Sequence, residues 1–517
     1  MVVPPRTKSP ASLALVVAEF AAASFVLFIA PYYSIIASPA MIDPDIWWHI
    51  GVGDWIVANG SLPRVGILSQ HLERSWVAYS WGFDVMVSTV HRMQGLPGIV
   101  GFLICFQVLI SLVFLIVVRR FAASLWWTCA IAGATIYASY VNPLRPVLST
   151  LLFFTLELFV IFEAERRGHD KMLWWLAPIF MLWANLHIQF VYGLFVLVLY
   201  VAARVATFVW KRGREGFSAQ SCENPSRPLF VLAVLAACML CSCIGPNGML
   251  PFRVALDYAA DLRAFQVIQE LRAINFRRPE HFVQLVLLMV ACFVLGRSPR
   301  FDLFRPLLLI ATAVVSFRAM RDSWYVSMVS GIVIADAVGS GVLQSVADLR
   351  PKLAVRPAIQ YGLAAALALG VSFQLARNEG MTPPALAAVI DRNYPLRAAE
   401  FIERAALKGP MYNDFNWGGF LILRLPGYPV SIDPRADLYD PALFTQSLRT
   451  ANASPGWQQD PDVARANFIL IQKWFPLATA LASDTRFRLA YQDHIASVFV
   501  RVSETQPPLH SRNDLRR

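Results

Sequence analysis

The chain has 517 residues, of which 57% are hydrophobic and 15% charged, and its net charge is +11. Soluble domains carry about 25% charged residues. This composition excludes a disordered chain, a collagen-like fibre and a disulfide scaffold, and it indicates a protein dissolved in lipid. Because the basic excess lies in the hydrophobic part of the chain, it fits loops that face an anionic leaflet, and we expect no nucleic-acid partner.

Long apolar stretches occupy most of the first 376 residues. A helix that crosses a bilayer needs about 20 mostly apolar residues, and eleven stretches reach or approach this length. We therefore predict a mainly α fold, a polytopic transmembrane helical bundle, over residues 1–376. The predicted spans are 11–36, 97–118, 121–141, 147–164, 172–188, 190–209, 228–245, 281–296, 305–320, 324–341 and 357–375.

The basic residues predict how these spans are oriented. The connections on one side hold 17 Lys and Arg side chains, whereas the short connections on the other side hold Arg145, Arg318 and Arg321. Since short basic loops stay in the cytoplasm, we expect a cytoplasmic N-terminus and an extracytoplasmic C-terminal tail. The loop 37–96 then lies outside, and its apolar and aromatic residues predict interfacial helices on the bilayer surface.

The tail from residue 377 has dispersed charge and frequent Pro, Gly, Asn and Asp. Short β-rich runs at 428–432, 467–471 and 496–502 alternate with helical patterns at 396–406 and 441–450. This alternation predicts a small α/β domain over 377–517. A segment of this size can bury a core of its own.

The densest polar group follows the first span, from Asp43 to His49. Asp43 before Pro44 is typical of a helix N-cap, and Asp45 then lies in the first turn with His49 one turn later. A capped interfacial helix explains this pattern. A catalytic interpretation explains it too: Asp45 would take a proton from a hydroxyl with His49 beside it, and Asp43 could assist a metal ion.

Other polar side chains fall at the predicted outer ends of spans. They are Arg145 beside a prolyl turn, Asn185 and His187 at the outer end of the fifth span, and Arg318 and Arg321 at the outer end of the ninth. Ionisable groups near lipid usually face an interior or a cavity, and arginine suits phosphate. We predict that these residues bind substrate or phosphate. The alternatives are a snorkelling arginine, helix-end contacts, or ion pairs with acidic residues of the tail.

Two motifs stand out in the tail. Asp414 and Asn416 precede an apolar run and predict a turn followed by a capped helix. Asp433 and Arg435 follow a predicted strand, where site residues are common. Both motifs are explained if these residues only stabilise turns. A second interpretation is that they bind substrate in one cavity with the polar ends of the spans.

The motifs at 43–49, 185–187, 413–419 and 433–439 together resemble a group of bacterial polytopic proteins in or close to the GT-C superfamily of membrane glycosyltransferases. The resemblance implies a helical bundle with a large first outer loop in a bacterial inner membrane, often with a soluble outer domain. It implies a sugar donor on polyprenyl phosphate and an acidic base after the first span. That base maps onto Asp45, with Asp43 as the alternative; a divalent cation, Mg²⁺ or Mn²⁺, at these residues is compatible with this role.

The resemblance, together with these residues, predicts a glycosyltransferase. It would move a sugar from a polyprenyl-phosphate donor to a glycan, lipid or protein acceptor of the cell envelope. An arginine would neutralise the leaving phosphate, and Asp45 would deprotonate the acceptor. The alternatives are a transporter of a lipid-linked glycan and a non-catalytic scaffold of an envelope polysaccharide pathway. Transporters tend to place polar groups at the bilayer midplane on broken, repeated helices, and the sequence shows neither feature clearly.

Overall fold

The computed structural model describes residues 10–36, 43–122, 124–139, 144–215, 226–260, 269–298, 302–340, 357–379 and 381–502. Helices dominate this part of the chain, as predicted. In chain order they are α1 (Pro10–Ile36), α2 (Asp45–Asn59), α3 (Trp81–Phe121), α4 (Leu125–Ala138), α5 (Val147–Arg167), α6 (Leu176–Leu186), α7 (Phe190–Glu215), α8 (Ser226–Ser242), α9 (Leu250–Ala260), α10 (Pro279–Gly296), α11 (Phe304–Arg318), α12 (Trp324–Gly339), α13 (Pro357–Asn378), α14 (Pro383–Asn393), α15 (Leu396–Arg404), α16 (Phe415–Arg424), α17 (Pro441–Ala451), α18 (Pro461–Arg465) and α19 (Pro476–Ala482).

The described residues also contain a four-stranded sheet in the order β1-β2-β4-β3. Its strands are β1 (Met411–Asn413), β2 (Phe468–Gln472), β3 (Phe487–Gln492) and β4 (Ala496–Arg501). β1 runs parallel to β2, whereas β4 is antiparallel to both β2 and β3.

The chain folds into two compact units. Over their described residues, the membrane unit consists of Met1–Asp43 and Val77–Pro383, and the α/β unit consists of Pro44–Trp76 and Pro384–Arg517. The sequence predicts a transmembrane domain that ends at residue 376 and includes the loop 37–96. The contacts instead assign Pro44–Trp76 to the α/β unit. Residues 37–42 lie outside the described residues.

In the membrane unit, a helix lies within every predicted span. Among the described residues, six helices are long and apolar enough to cross a bilayer, namely α1, α3, α5, α7, α10 and α13, and α4 and α8 are shorter apolar helices. The predicted span 97–118 is the second part of α3, which is kinked at Gly95. The protein is therefore a multi-pass membrane protein. The basic connections predicted at 211–227 and 350–356 lie partly or wholly outside the described residues.

The central helix of the membrane unit is α12. Every residue from Trp324 to Ala335 is buried, and the helix packs against α3, α4, α10 and α11. A helix that is apolar on all sides is typical of a bundle core. The turn Met320–Asp322 connects it to α11.

The core of the α/β unit lies between the sheet and its helices. Tyr412, Val463, Ile469, Leu481 and Phe499 are buried there. The helices predicted at 396–406 and 441–450 are α15 and α17. The runs 467–471 and 496–502 correspond to β2 and β4. The run at 428–432 contributes only one bridge, between Val430 and Ser69, and β1 and β3 were not predicted.

Helix α2 is part of this unit because it packs against α16. A Cβ on Gly51 would lie 2.6 Å from Ile422 Cγ2, and one on Gly419 would lie 2.6 Å from the Pro44 carbonyl oxygen. Such a close approach requires glycine. The sequence suggested that the apolar residues of α2 would face the bilayer. Trp47 and its apolar neighbours are instead buried within the protein.

Candidate functional site

The membrane unit contains a charged cluster around Arg145, which lies just before α5. Arg145 Nε donates to Asp43 Oδ2 over 2.8 Å, and Nη2 donates to Asp43 Oδ1 over 3.3 Å. Arg145 Nη1 lies 3.1 and 2.9 Å from the two carboxylate oxygens of Glu270. Asp43 is buried, so the guanidinium compensates a charge that would be costly to bury alone.

Backbone hydrogen bonds hold the segment after Glu270 against the turn after α11. The Met320 N–H donates to the Arg272 carbonyl over 2.8 Å, and the Ile274 N–H donates to the Phe317 carbonyl over 3.2 Å. Burial alone would raise the pKa of Glu270, but the charges of Arg145 and Arg321 hold it below its usual value. Glu270 is therefore an anion at neutral pH.

The three arginines that were predicted to bind phosphate differ in their surroundings. Two carboxylates engage Arg145, so a phosphate would have to displace Glu270 to bind it bidentately. Arg318 at the end of α11 and Arg321 in the following turn have exposed side chains. Their exposed side chains can be reached by an anion from solvent.

Asp45 and His49 lie one turn apart at the start of α2, in the α/β unit. Asp45 is half-buried and is the first helical residue, where the helix dipole favours an anion. His49 is buried, and its ring packs on Trp48 with centroids 3.6 Å apart. The predicted N-cap is wrong: Pro44 precedes the helix, and no side chain caps it. Asp43 is bound by Arg145 instead.

Asn185 and His187 have partners within the membrane unit. Asn185 Oδ1 accepts from Trp81 Nε1 over 3.0 Å, and Asn185 Nδ2 donates to the Ile244 carbonyl over 2.8 Å. The His187 ring lies 2.7 Å from Thr150 Oγ1. These bonds connect the end of α6 to α3, α5 and the end of α8, so the two residues position helices. Their predicted role in substrate binding stays a prediction.

Asp433 and Arg435 form a fully buried ion pair in the α/β unit. Arg435 Nε and Nη2 lie 2.9 and 2.8 Å from the two oxygens of Asp433, and the Tyr439 hydroxyl donates to Asp433 Oδ2 over 2.6 Å. Arg435 also donates to the Ile67 carbonyl and stacks over Trp76 at 4.9 Å. The pair thus connects the segment before Trp76 to the tail. A role in substrate binding stays a prediction.

Asp414 is the N-cap of α16, as predicted from the turn. Its Oδ1 accepts from the Asn416 N–H over 3.0 Å and from Gln472 Nε2 over 3.2 Å. Asn416 itself is exposed. Burial raises the pKa of Asp414 to about 6, although these hydrogen bonds oppose the shift.

This pKa predicts how stability depends on pH. Because the pKa of Asp414 is raised on folding, its ionisation opposes folding increasingly between about pH 4 and pH 6. Asn caps helices as well as Asp does, so Asp414→Asn should be more stable than the wild type above pH 6, by at most about 3 kcal/mol. The difference should disappear near pH 4. Thermal unfolding at both pH values measures it, and an equal difference at both would contradict the prediction.

Glu270 was not among the site residues predicted from the sequence. It lies in the loop 246–280, which was predicted to be on the same side of the membrane as Arg145. That shared side was the one available signal, because nothing in the sequence pairs an acid with an arginine 125 residues away.

A divalent cation at Asp43 and Asp45 stays a prediction. Among the residues that the structure describes, no group of three or more His, Cys, Asp and Glu side chains is arranged to hold a metal ion. Both oxygens of Asp43 accept from Arg145, so a cation would have to displace that arginine. The function proposed below therefore includes no step through a metal.

Comparison with known proteins identifies the fold. No family model matches the sequence, and no curated protein matches it significantly. The structure superposes on AglB, the oligosaccharyltransferase of Archaeoglobus fulgidus in complex with an inhibitory peptide and a dolichol-phosphate, with a TM-score of 0.55 and 10% identity over 90% of this chain and 69% of AglB. The apo form of the oligosaccharyltransferase from the same organism gives a TM-score of 0.50 and 12% identity, over 89% of this chain and 69% of that protein.

A weaker superposition is found on ArnT of Cupriavidus metallidurans bound to undecaprenyl phosphate, with a TM-score of 0.42 and 14% identity over 96% of this chain and 99% of ArnT. The AglB superposition extends over nearly the whole chain and confirms the fold that the motif resemblance implied. The chain therefore shares the fold of these two oligosaccharyltransferase structures.

Proposed function

We propose that this protein is a membrane glycosyltransferase. It moves a sugar from a polyprenyl-phosphate donor to a glycan, lipid or protein acceptor of the cell envelope, at the extracytoplasmic face of a bacterial inner membrane. The superposition on AglB over 90% of the chain is the observation that carries this proposal. Fold analogy supports a reaction class and leaves the individual sugar open.

In this proposal, Arg318 and Arg321 neutralise the phosphate as the sugar leaves. Both are exposed at the same end of α11, and donors aimed at developing charge usually provide the largest catalytic term. The same charge that lowers the pKa of Glu270 would attract an anionic donor. Asp43 and Glu270 hold Arg145, and through it the start of α5.

Asp45 acts as the general base of the proposed reaction. Asp43 is less suited because both of its oxygens already accept hydrogen bonds from Arg145. Asp45 is half-buried at the start of α2, where a carboxylate is stabilised and can still approach a hydroxyl. The buried ring of His49 lies one turn later in the same helix.

The second candidate function is a non-catalytic scaffold. It is favoured by the internal partners of four predicted binding residues, Asn185, His187, Asp433 and Arg435. A scaffold would use the α/β unit to bind other envelope proteins. It would tolerate changes at Asp45, Arg318 and Arg321.

The double variant Arg318→Ala/Arg321→Ala tests the transferase. We expect transfer to fall by about 10²- to 10³-fold, because each donor removed from a developing charge has an effect of a few kcal/mol. The measurement is mass spectrometry of envelope glycans from a deletion strain complemented with each variant. Arg253→Ala is the matched control, since Arg253 is an exposed arginine on α9. Normal glycans in the deletion strain, or full transfer by the double variant, would reject the proposal.

A further inference from the structure

A glutamate lies in the middle of a membrane-spanning helix. Glu157 is ten residues from each end of α5, which is about 15 Å along the helix axis. Its side chain is completely buried. Ionisable residues at this depth are rare, and they are retained when they have a function.

The carboxyl group of Glu157 has no hydrogen-bond partner on either oxygen among the described residues. The next two glutamates of the same helix differ in this respect. Glu163 pairs with Arg120 over 2.6 Å and also with Arg167. Glu165 pairs with Arg305 over 3.0 Å. Helix α5 thus contains two neutralised carboxylates and one carboxyl that has no cation to neutralise it.

Glu157 lies where α5, α6 and α7 meet. A Cβ added to Gly193 of α7 would be 2.5 Å from Glu157 Oε2 and 2.6 Å from a ring carbon of Trp183 in α6, so the carboxyl is packed tightly between these helices. Among the described residues, its titratable neighbours are Cys238 of α8 and Tyr325 of α12. Neither side chain can supply a positive charge.

An ionised carboxylate in such a place would have no cation among the described residues to compensate it, whereas a neutral carboxylic acid is far less costly to bury. We propose that Glu157 is a proton-binding site at the centre of the membrane unit. The folded protein holds an un-ionised carboxylic acid there, and loss of that proton opens the contact between α5, α6 and α7 so that water can reach the carboxylate. This inference is independent of the proposed transferase activity.

Infrared spectroscopy of the purified full-length protein tests the protonation state. The wild-type minus Glu157→Gln difference spectrum should contain the carbonyl stretching band of a carboxylic acid at neutral pH, where a free glutamate is ionised. Glu163→Gln is the matched control. The spectrum of this variant should still contain the acid band, so the wild-type minus Glu163→Gln difference spectrum should lack it. Carboxylate bands in the difference spectrum at neutral pH would overturn the proposal. If Glu157→Gln does not fold, folded and unfolded wild type are compared, and the acid band should disappear on unfolding.

Proton linkage provides the second measurement. If folding takes up one proton at Glu157, the unfolding equilibrium constant of the wild type should rise up to tenfold per pH unit above about pH 5, relative to Glu157→Gln. The sign follows because the unfolded chain has released this proton and the folded chain has not. If the unfolding equilibrium constants of the wild type and Glu157→Gln change with pH in the same way, the proposal is contradicted.

Discussion

Replacing Asp45 by asparagine should lower sugar transfer by about 10²- to 10⁴-fold, the usual contribution of a general base, and should leave the protein folded. Asparagine keeps the size of the side chain and can still pack at the start of α2, where Asp45 is half-buried. It cannot accept the acceptor's proton. The loss should therefore appear in kcat, with the apparent affinity for the donor little changed. The measurement is the initial rate of sugar transfer in membranes that contain equal amounts of each protein.

Asp43→Asn is the informative comparison, because it is expected to act in a different way. It removes the charge that faces Arg145, whose Nε lies 2.8 Å from Asp43, and so weakens an ion pair in which Asp43 is buried. We expect reduced thermal stability and a lower yield of folded protein for this variant. If Asp45→Asn retains transfer within a few-fold of the wild type, Asp45 is not the base. The scaffold interpretation then gains weight if Arg318→Ala/Arg321→Ala is also active.

Helix positions were predictable because they depend on local composition. Each predicted span contains a helix, since a run of about 20 apolar residues has few other stable structures in a bilayer. The assignment of Pro44–Trp76 to the α/β unit was not predictable in the same way. It depends on contacts such as Gly51 with Ile422 and the bridge from Ser69 to Val430, which join segments that are more than 350 residues apart.

For the candidate site, the sequence identified which residues are unusual but not which residues they contact. Asp43 and Arg145 were both predicted as site residues, yet their bond to each other joins positions 102 residues apart. Asp433 and Arg435 are neighbours in sequence, but their complete burial depends on Trp76 and Ile67 from the first loop. A buried polar group needs a partner, and a single sequence does not identify that partner.

Replacing Arg435 by methionine should destabilise the α/β unit by about 3–5 kcal/mol, because it leaves Asp433 as an uncompensated buried charge. Asp433 and Arg435 are both fully buried, and three hydrogen bonds join them. Burial alone would raise the pKa of Asp433, but the charge of Arg435 holds it below its usual value. A carboxyl whose pKa is lowered on folding stabilises the protein above the pKa of the unfolded state, about 3.9, and this contribution is lost as the pH falls.

Two further variants separate the loss of charge compensation from the loss of packing. The double variant Asp433→Leu/Arg435→Met removes both charges, and we expect it to be less destabilised than Arg435→Met alone, since hydrophobic residues of similar volume can replace a buried ion pair. Arg424→Met is the surface control, because its partner Glu403 is 2.8 Å away and partly exposed, and it should change the stability by less than about 1 kcal/mol. Chemical denaturation, monitored by tryptophan fluorescence, gives the free energy of unfolding of Arg435→Met, the double variant and Arg424→Met. If Arg435→Met proves no more destabilised than the double variant, the ion pair does not hold the first loop against the tail, and packing on Trp76 does so instead.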